Sequence, residues 1–264
     1  MRNLSDNQQD MYQHFSKVSA RYNEIRATDL EPIMFIQESC NDNQRIEAVD
    51  IGAGSGRYCL KLFKHLDNLY LTCIDINAAM LEETSNYLSK AGITGFRTIQ
   101  SPAEDIPLDD NSIDYIFVFN AIHHLNLTEF TGEAARVLRD RGSIFIYTRL
   151  QSQNGRNIWG RYFPLFLEKE ERLYELDDLE RMIALTDSLY IECTKGFKYR
   201  RKASLKRLVD LAGSKHYSTF SLYQQYEFET ALKGFEDNIK KHFSNLEKIE
   251  WDDEYTMLVV KKFG

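Results

Sequence analysis

Three glycines at alternate positions, Gly52, Gly54 and Gly56, follow a carboxylate, Asp50, and a short apolar run of Ile46, Ala48, Val49 and Ile51. After them comes an amphipathic run with Cys59, Leu62, Phe63 and Leu66 at helical spacing. The order is strand, tight glycine turn, helix. Glycine lets a ligand approach the backbone without meeting a Cβ, and the free N–H groups at a helix start favour an anionic group. The turn, Ala53 included, reads as a cradle for a nucleotide-like ligand. A second carboxylate, Asp75, ends the next apolar run 19 residues past Gly56 and is followed by Ile76. A carboxylate at that distance can accept hydrogen bonds from both ribose hydroxyls. Two details argue against NAD. The dinucleotide fingerprint wants a small residue where Arg57 stands, and Asp50 would set negative charge near a pyrophosphate. Beside a ligand carrying an ammonium and a sulfonium, the Asp50 charge is favourable.

Residues 113–120 (IDYIFVFN) are almost wholly apolar, as a parallel strand buried on both faces requires. Ligands in open α/β sheets bind beyond the carboxyl ends of the strands. Asn120, His123 and His124 therefore stand at the ligand crevice. Histidine can act as a general base near neutral pH. Adjacent side chains point in different directions, so one histidine is expected to face the pocket, with His123 preferred and His124 packing or capping. Tyr147 and Arg149 lie at the tip of a further strand, Ser143 to Thr148. The segment after it, Gln151 to Pro164, is polar but carries Trp159 and Tyr162. It suits either a substrate wall or a surface connection with aromatics tucked beneath.

AVDIGAGSGR, CIDIN, SPAEDIPLDDNSIDYIFVFNAIHHL and RVLRDRGSIFIY resemble the successive motifs of class I S-adenosylmethionine-dependent methyltransferases. The likeness is to the small-molecule group (methyltransferase type 11) that includes the ubiquinone- and biotin-pathway enzymes, and it covers about Gln9 to Thr148. It implies an α/β, Rossmann-like sheet of seven mostly parallel strands, the last antiparallel beside the fifth, with helices on both faces. It also implies S-adenosyl-L-methionine as cofactor, S-adenosyl-L-homocysteine as product and a small-molecule methyl acceptor. Under the same resemblance Asp105, with Glu104 nearby, accepts from the adenine amino group and Ile106 lies against the ring. An N-terminal helix caps the cofactor, with Tyr22 walling the site and Arg26 reaching a carboxylate. Arg139-Asp140-Arg141-Gly142 stands where the family usually has Lys-Pro-Gly-Gly.

The supporting elements follow from periodicity and caps. Helix is expected over Asp10 to Glu38 with a break near Thr28 to Pro32, and over Ala78 to Ala91 behind Asn77. Later helices are expected at Leu127 to Leu138, Leu173 to Leu189, Ser204 to Ala212 and Ser221 to Phe243. Strands are expected at Phe96 to Gln100, Ile191 to Lys198 and Glu254 to Lys262. The 264 residues suit one domain: a helical cap over 1–44, a cofactor-binding core over 45–148, a lid and substrate-side insertion over 149–250, and a final strand over 251–264. A net charge of −7 argues against a nucleic-acid partner. The seven basic residues between Lys195 and Arg207 reverse that sign locally and read first as a solvated face, then as a site for an anionic, carrier-bound or RNA substrate. Four cysteines without C-x-x-C spacing suggest buried thiols, a reducing cytoplasmic setting and no metal site. No apolar run is long enough to span a membrane. A monomer or homodimer is expected. A nicotinamide oxidoreductase and a cofactor-binding protein without catalysis are the competing classes.

Overall fold

The computed structural model describes residues 12–17, 19, 23, 26–40 and 44–264. Residues 12–17 are helical, 26–30 are not, and helix α1 follows at Glu31–Ser39, so the expected break is present. The remaining elements are β1 (Ile46–Ile51), α2 (Arg57–His65), β2 (Leu69–Asp75), α3 (Ala78–Lys90), β3 (Phe96–Gln100), β4 (Ile113–Phe119), α4 (Leu127–Val137), β5 (Leu138–Thr148), α5 (Gln151–Asn154), α6 (Ile158–Tyr162), α7 (Phe166–Lys169), α8 (Leu176–Ile183), β6 (Leu189–Ala203), α9 (Leu205–Gly213), α10 (Gln225–His242) and β7 (Ile249–Lys262).

The seven strands form one sheet in the order β3-β2-β1-β4-β5-β7-β6. Strands β1 to β5 pair in parallel, and β7 runs antiparallel to β5 with Phe145 opposite Val259. This is the class I, Rossmann-like arrangement that the motifs imply. The chain order reverses at β1, whose neighbours are β2 and β4, and the ligand crevice of such a sheet opens beyond the strand ends at that point. The central position of β4 accounts for its composition: Ile116, Phe117 and Val118 are fully buried. Phe117 stacks on Phe145 of β5 at 5.8 Å, and Tyr58 of α2 lies almost parallel to Phe119 at 4.2 Å.

Caps fix the helix starts. The Asn77 side chain accepts from the Met80 N–H at 3.1 Å, and the Ser204 hydroxyl accepts from the Arg207 N–H at 3.2 Å. Gly142 survives from the family's turn because a Cβ there would lie 2.9 Å from the Arg139 carbonyl and 3.0 Å from that of Asp114. Elsewhere the boundaries shift. The helix expected over Leu173 to Leu189 is only α8: the Tyr174 carbonyl accepts from the Gln151 N–H at 3.0 Å, and the chain turns after Ile183 to enter β6. Strand β6 begins earlier and runs to Ala203, and β7 begins at Ile249 rather than Glu254.

The chain divides into two compact units. One comprises Ala27–Thr148, Leu176–Lys195 and Thr256–Gly264 and contains β1 to β5. The other comprises Arg149–Glu175, Gly196–Tyr255 and the described residues up to Arg26. The second unit has its own aromatic core: Trp159, Phe163, Phe166, Phe220, Phe228 and Phe235 are all buried there.

Its charge is arranged along β6 and β7. Lys198 pairs with Asp252 at 2.9 Å, and Arg200 reaches Asp252 at 3.1 Å and Glu250 at 3.2 Å. Arg201 faces Asp253 at 3.5 Å. The basic stretch is thus one side of a charge ladder between neighbouring strands. Of the four cysteines, Cys59 and Cys73 are buried, Cys40 is half-buried, and Cys193 is exposed, against expectation. Among the described residues, no helix is long and apolar enough to cross a membrane.

Candidate cofactor site

The glycine turn sits beyond β1, and its three glycines all have left-handed φ, from +57° to +76°. Gly52 is demanded twice, since a Cβ there would lie 2.5 Å from the Cβ of Ala121, just beyond β4. The tips of β1 and β4 therefore touch. Asn120, between β4 and Ala121, also adopts a left-handed φ of +54°, and its N–H donates to the Tyr147 carbonyl at 2.7 Å. Asparagine tolerates that conformation better than most residues.

Gly54 differs from Gly52. Among the described residues a Cβ on it would meet only the Gly52 carbonyl, at an ordinary contact distance of 3.9 Å, so its α-carbon is uncrowded. Its peptide is nonetheless held on both sides. The Gly54 N–H donates to Asp75 Oδ2 at 2.9 Å, and the Gly54 carbonyl accepts from the Thr84 hydroxyl at 2.5 Å. The other Asp75 oxygen accepts from the Asn77 N–H at 2.8 Å. Burial pushes the Asp75 carboxyl up, while the amides of Asn77, Gly54 and Ile76 pull it back. These amides do not exhaust the carboxylate, which offers about four acceptor sites. Thr84 escaped sequence reasoning: a β-branched residue inside a helix is weakly favoured, but nothing local says that it anchors a turn 30 residues earlier.

Asp50 is buried at 2% exposure. Its Oδ2 accepts from the Cys59 thiol of α2 at 3.0 Å, while its Oδ1 has no hydrogen-bond partner among the described residues. An orphaned carboxylate oxygen in a buried site costs stability unless a ligand satisfies it. Burial is the main reason that the Asp50 pKa rises from 3.8 to about 7; the nearby Asp75 charge raises it further, and the Cys59 hydrogen bond opposes both. Arg57, the residue that spoiled a dinucleotide fingerprint, turns away to the Ala27 carbonyl at 2.6 Å and the Thr28 hydroxyl at 2.8 Å.

The loop after β3 is held from α4. Arg136 donates to the carbonyls of Ile106 and Leu108 at 2.8 and 2.9 Å and pairs with Asp110 and Glu133. Hydrogen bonds to Glu133 and Asp110 raise the Arg136 pKa, and Arg136 lowers that of Glu133. Glu133 also accepts from the Ile106 N–H at 2.8 Å. Ile106 is buried, Asp105 is exposed, and Glu104 accepts from the Asn126 N–H at 2.6 Å, at the start of α4.

The histidines occupy a single 3-10 turn, Ile122–His124, immediately after Ala121. The expectation that their side chains diverge does not hold: the ring centroids are 4.1 Å apart, and both residues are half-buried. A one-turn segment does not separate neighbours as a strand does.

The residues expected on the substrate side are placed differently. Tyr147 has no exposed surface; it lies under Tyr58 and Phe119, and its hydroxyl donates to Asp29 at 3.3 Å. The other three belong to the second unit. Arg149 is buried, pairs with Asp253, and donates to the hydroxyls of Tyr255 at 2.7 Å and Tyr217 at 3.2 Å. Burial works against its charge, yet the surrounding Asp253, Tyr217 and Tyr255 raise its pKa well above the ordinary value. Trp159 is core, stacked on Phe235 at 5.1 Å. Tyr162 packs on His242 and Phe243. It borders a shallow cleft of about 210 Å³ whose Arg156 and Arg200 are already ion-paired. Arg26, also of the second unit, lies over the Tyr217 ring at 4.2 Å. Tyr22 lies outside the described residues.

Residues 49–146 match the family described as "Methyltransferase domain". A candidate methyltransferase of Dictyostelium discoideum is 32% identical over 134 residues, covering 51% of this chain and 48% of that one. The ubiquinone/menaquinone biosynthesis C-methyltransferase UbiE of Rickettsia prowazekii is 30% identical over 140 residues, covering 48% and 56%. The chain thus spans about half the length of the curated relatives it matches. The crystal structure of the YcgJ protein from Bacillus subtilis superposes with a TM-score of 0.63 at 15% identity, over 89% of this chain and 99% of that one. Over residues 49–146, then, the chain is similar to a methyltransferase domain, and its seven-stranded sheet shares the fold of the superposed structure.

Proposed function

We propose that the protein binds S-adenosyl-L-methionine at the β1–α2 turn and transfers its methyl group to a small-molecule acceptor. The observation that carries this reading is the orphaned Asp50 Oδ1, buried two residues before a glycine turn whose Gly54 α-carbon is uncrowded. The donor set fits the cofactor. Asp50 answers an ammonium, Asp75 retains acceptor sites for two ribose hydroxyls, and Ile76 with Ile106 offers apolar surface for a base. Glu104 and Asp105 supply acceptors for the adenine amino group, and Gly52, Ala53, Gly54 and Gly56 admit the ligand to the backbone. Asn120 is suited to the amino-acid end. When bound, the cofactor supplies a methyl group already activated on a sulfonium, so the protein's main task is alignment and exclusion of water, which together can lower a barrier by about 7–11 kcal/mol. His123 or His124 would take the proton from a hydroxyl or amine acceptor.

A small-molecule acceptor agrees with the relative named as a C-methyltransferase of quinone biosynthesis. An RNA or carrier-bound substrate loses its chief support, since Lys198, Arg200 and Arg201 of the basic stretch are neutralised by β7. Four free thiols suit the cytoplasm. Calorimetric titration with adenosylmethionine, and with NAD as control, tests the reading. Binding of the former alone is expected, weakened tenfold or more by Asp75→Ala, because hydrogen bonds to a charged group contribute about 1.5–3 kcal/mol. Binding of NAD alone, or equal adenosylmethionine affinity in wild type and variant, would refute it.

A further inference from the structure

Asp50 of β1 and Cys73 of β2 are register partners in the parallel sheet, and Cys59 of α2 packs against both. The three side chains form a chain of hydrogen bonds. The Cys73 thiol donates to Cys59 Sγ at 3.7 Å, and the Cys59 thiol donates to Asp50 Oδ2 at 3.0 Å. Both cysteines are completely buried, and Asp50 nearly so. A thiol is a weak donor and is here oriented by a second thiol behind it. Only one carboxylate oxygen is used, and the other is left for a ligand.

We propose that Cys59, backed by Cys73, is a positioning residue: it fixes the Asp50 carboxylate with Oδ1 presented to the cofactor's ammonium and favours its charged form at neutral pH. The inference rests on the adenosylmethionine reading for the identity of the ligand, though the hydrogen-bond chain does not depend on it. The groups facing Asp50 are few. Cys59 comes from α2, Cys73 and Asp75 come from β2, and the register partner on β4 is the uncharged Phe117. Burial and Asp75 oppose ionisation, and the Cys59 thiol is the one group among these that promotes it. With a pKa of about 7, Asp50 is close to half-ionised at pH 7, so a modest change in this donor alters how much anion the ligand meets.

The test compares wild type, Cys59→Ala and Cys59→Ser, the last retaining a hydroxyl donor. In the ligand-free protein, carboxyl-carbon NMR titration of labelled aspartates, with Asp50→Asn identifying the signal, reads the Asp50 midpoint. Cys59→Ala should raise it by about one pH unit, Cys59→Ser should return it towards the wild-type value, and Cys73→Ala should raise it less. Adenosylmethionine affinity from pH 6 to 9 should then be about fivefold weaker in Cys59→Ala at pH 7 and near wild type at pH 9. An unmoved midpoint in Cys59→Ala would overturn the proposal, as would a loss of affinity equal at every pH, which is the mark of a cavity and nothing more. A midpoint that moves as described in a protein that binds no adenosylmethionine would support the thiol chain and refute the methyltransferase reading instead.

Discussion

Gly52 offers a test of the site's architecture that needs no ligand. In Gly52→Ala the new Cβ is placed 2.5 Å from the Ala121 Cβ, more than 1 Å inside ordinary carbon contact. Neither atom can rotate away, because each is bonded directly to backbone. Relief requires the tips of β1 and β4 to separate, and overpacking of this kind costs about 1–3 kcal/mol. The φ of +68° adds about 1–2 kcal/mol for a residue with a Cβ. Gly52→Ala should therefore destabilise the protein by roughly 2–5 kcal/mol in urea unfolding followed by circular dichroism. The second substitution, Ala121→Gly, removes the opposing methyl. The double variant should recover the steric part, giving a favourable coupling of about 1–3 kcal/mol and leaving the dihedral cost behind. A Gly52→Ala protein as stable as wild type, or a double variant whose losses simply add, would show that the two tips do not meet.

Two further outcomes follow from buried charge. The folded protein holds the Asp50 proton up to about pH 7, whereas the unfolded chain releases it near 3.8. Stability should therefore fall as pH rises from about 4 to about 7, by at most about 4 kcal/mol, and level off above; Asp50→Asn should flatten that segment, and an unchanged slope would refute the assignment. Arg149→Met should leave the Asp253 carboxylate buried without its main partner and lower stability by roughly 3–5 kcal/mol. Adding Asp253→Asn should return part of the loss in the same denaturant assay, and a silent Arg149→Met would contradict the buried pair.

The parts of the site that were legible in the sequence are those whose physics is local. Three glycines behind an apolar run demand a turn, a carboxylate that closes the next run must sit at a neighbouring strand tip, and Asn77 and Ser204 announce their own helices. An unbroken apolar stretch placed β4 in the middle of the sheet. Their place after a strand tip points Tyr147, Arg149 and Trp159 towards substrate, yet what decides their fate lies far along the chain. Arg149 meets Asp253 across 104 residues, and Trp159 meets Phe235 in a core that the local polarity of its own segment hides. The basic stretch carries a longer-range signal: Lys198 and Arg200 alternate with period two, as do Glu250, Asp252 and Glu254 some fifty residues later. Matching signs on two strands of like period suggest partners. The histidine pair misled for a different reason, since side-chain divergence learned from strands does not transfer to a one-turn segment.

That charge ladder has a second consequence, for how the molecule behaves among its own copies. Among the described residues β6 is the last strand of the sheet, and one of its edges carries backbone donors and acceptors that no further described strand takes up. Such an edge is a template for another chain, and the hazard grows with length; β6 has 15 residues. Lys198 and Arg200, with the Asp252 and Glu250 carboxylates that hold them, give its face a charged surface against which a pairing strand must seat its side chains. The opposite edge of the sheet is β3, only five residues long and carrying Arg97. The ion pairs that knit β6 to β7 thus leave an edge strand poorly suited to seed the stacking of one molecule on another.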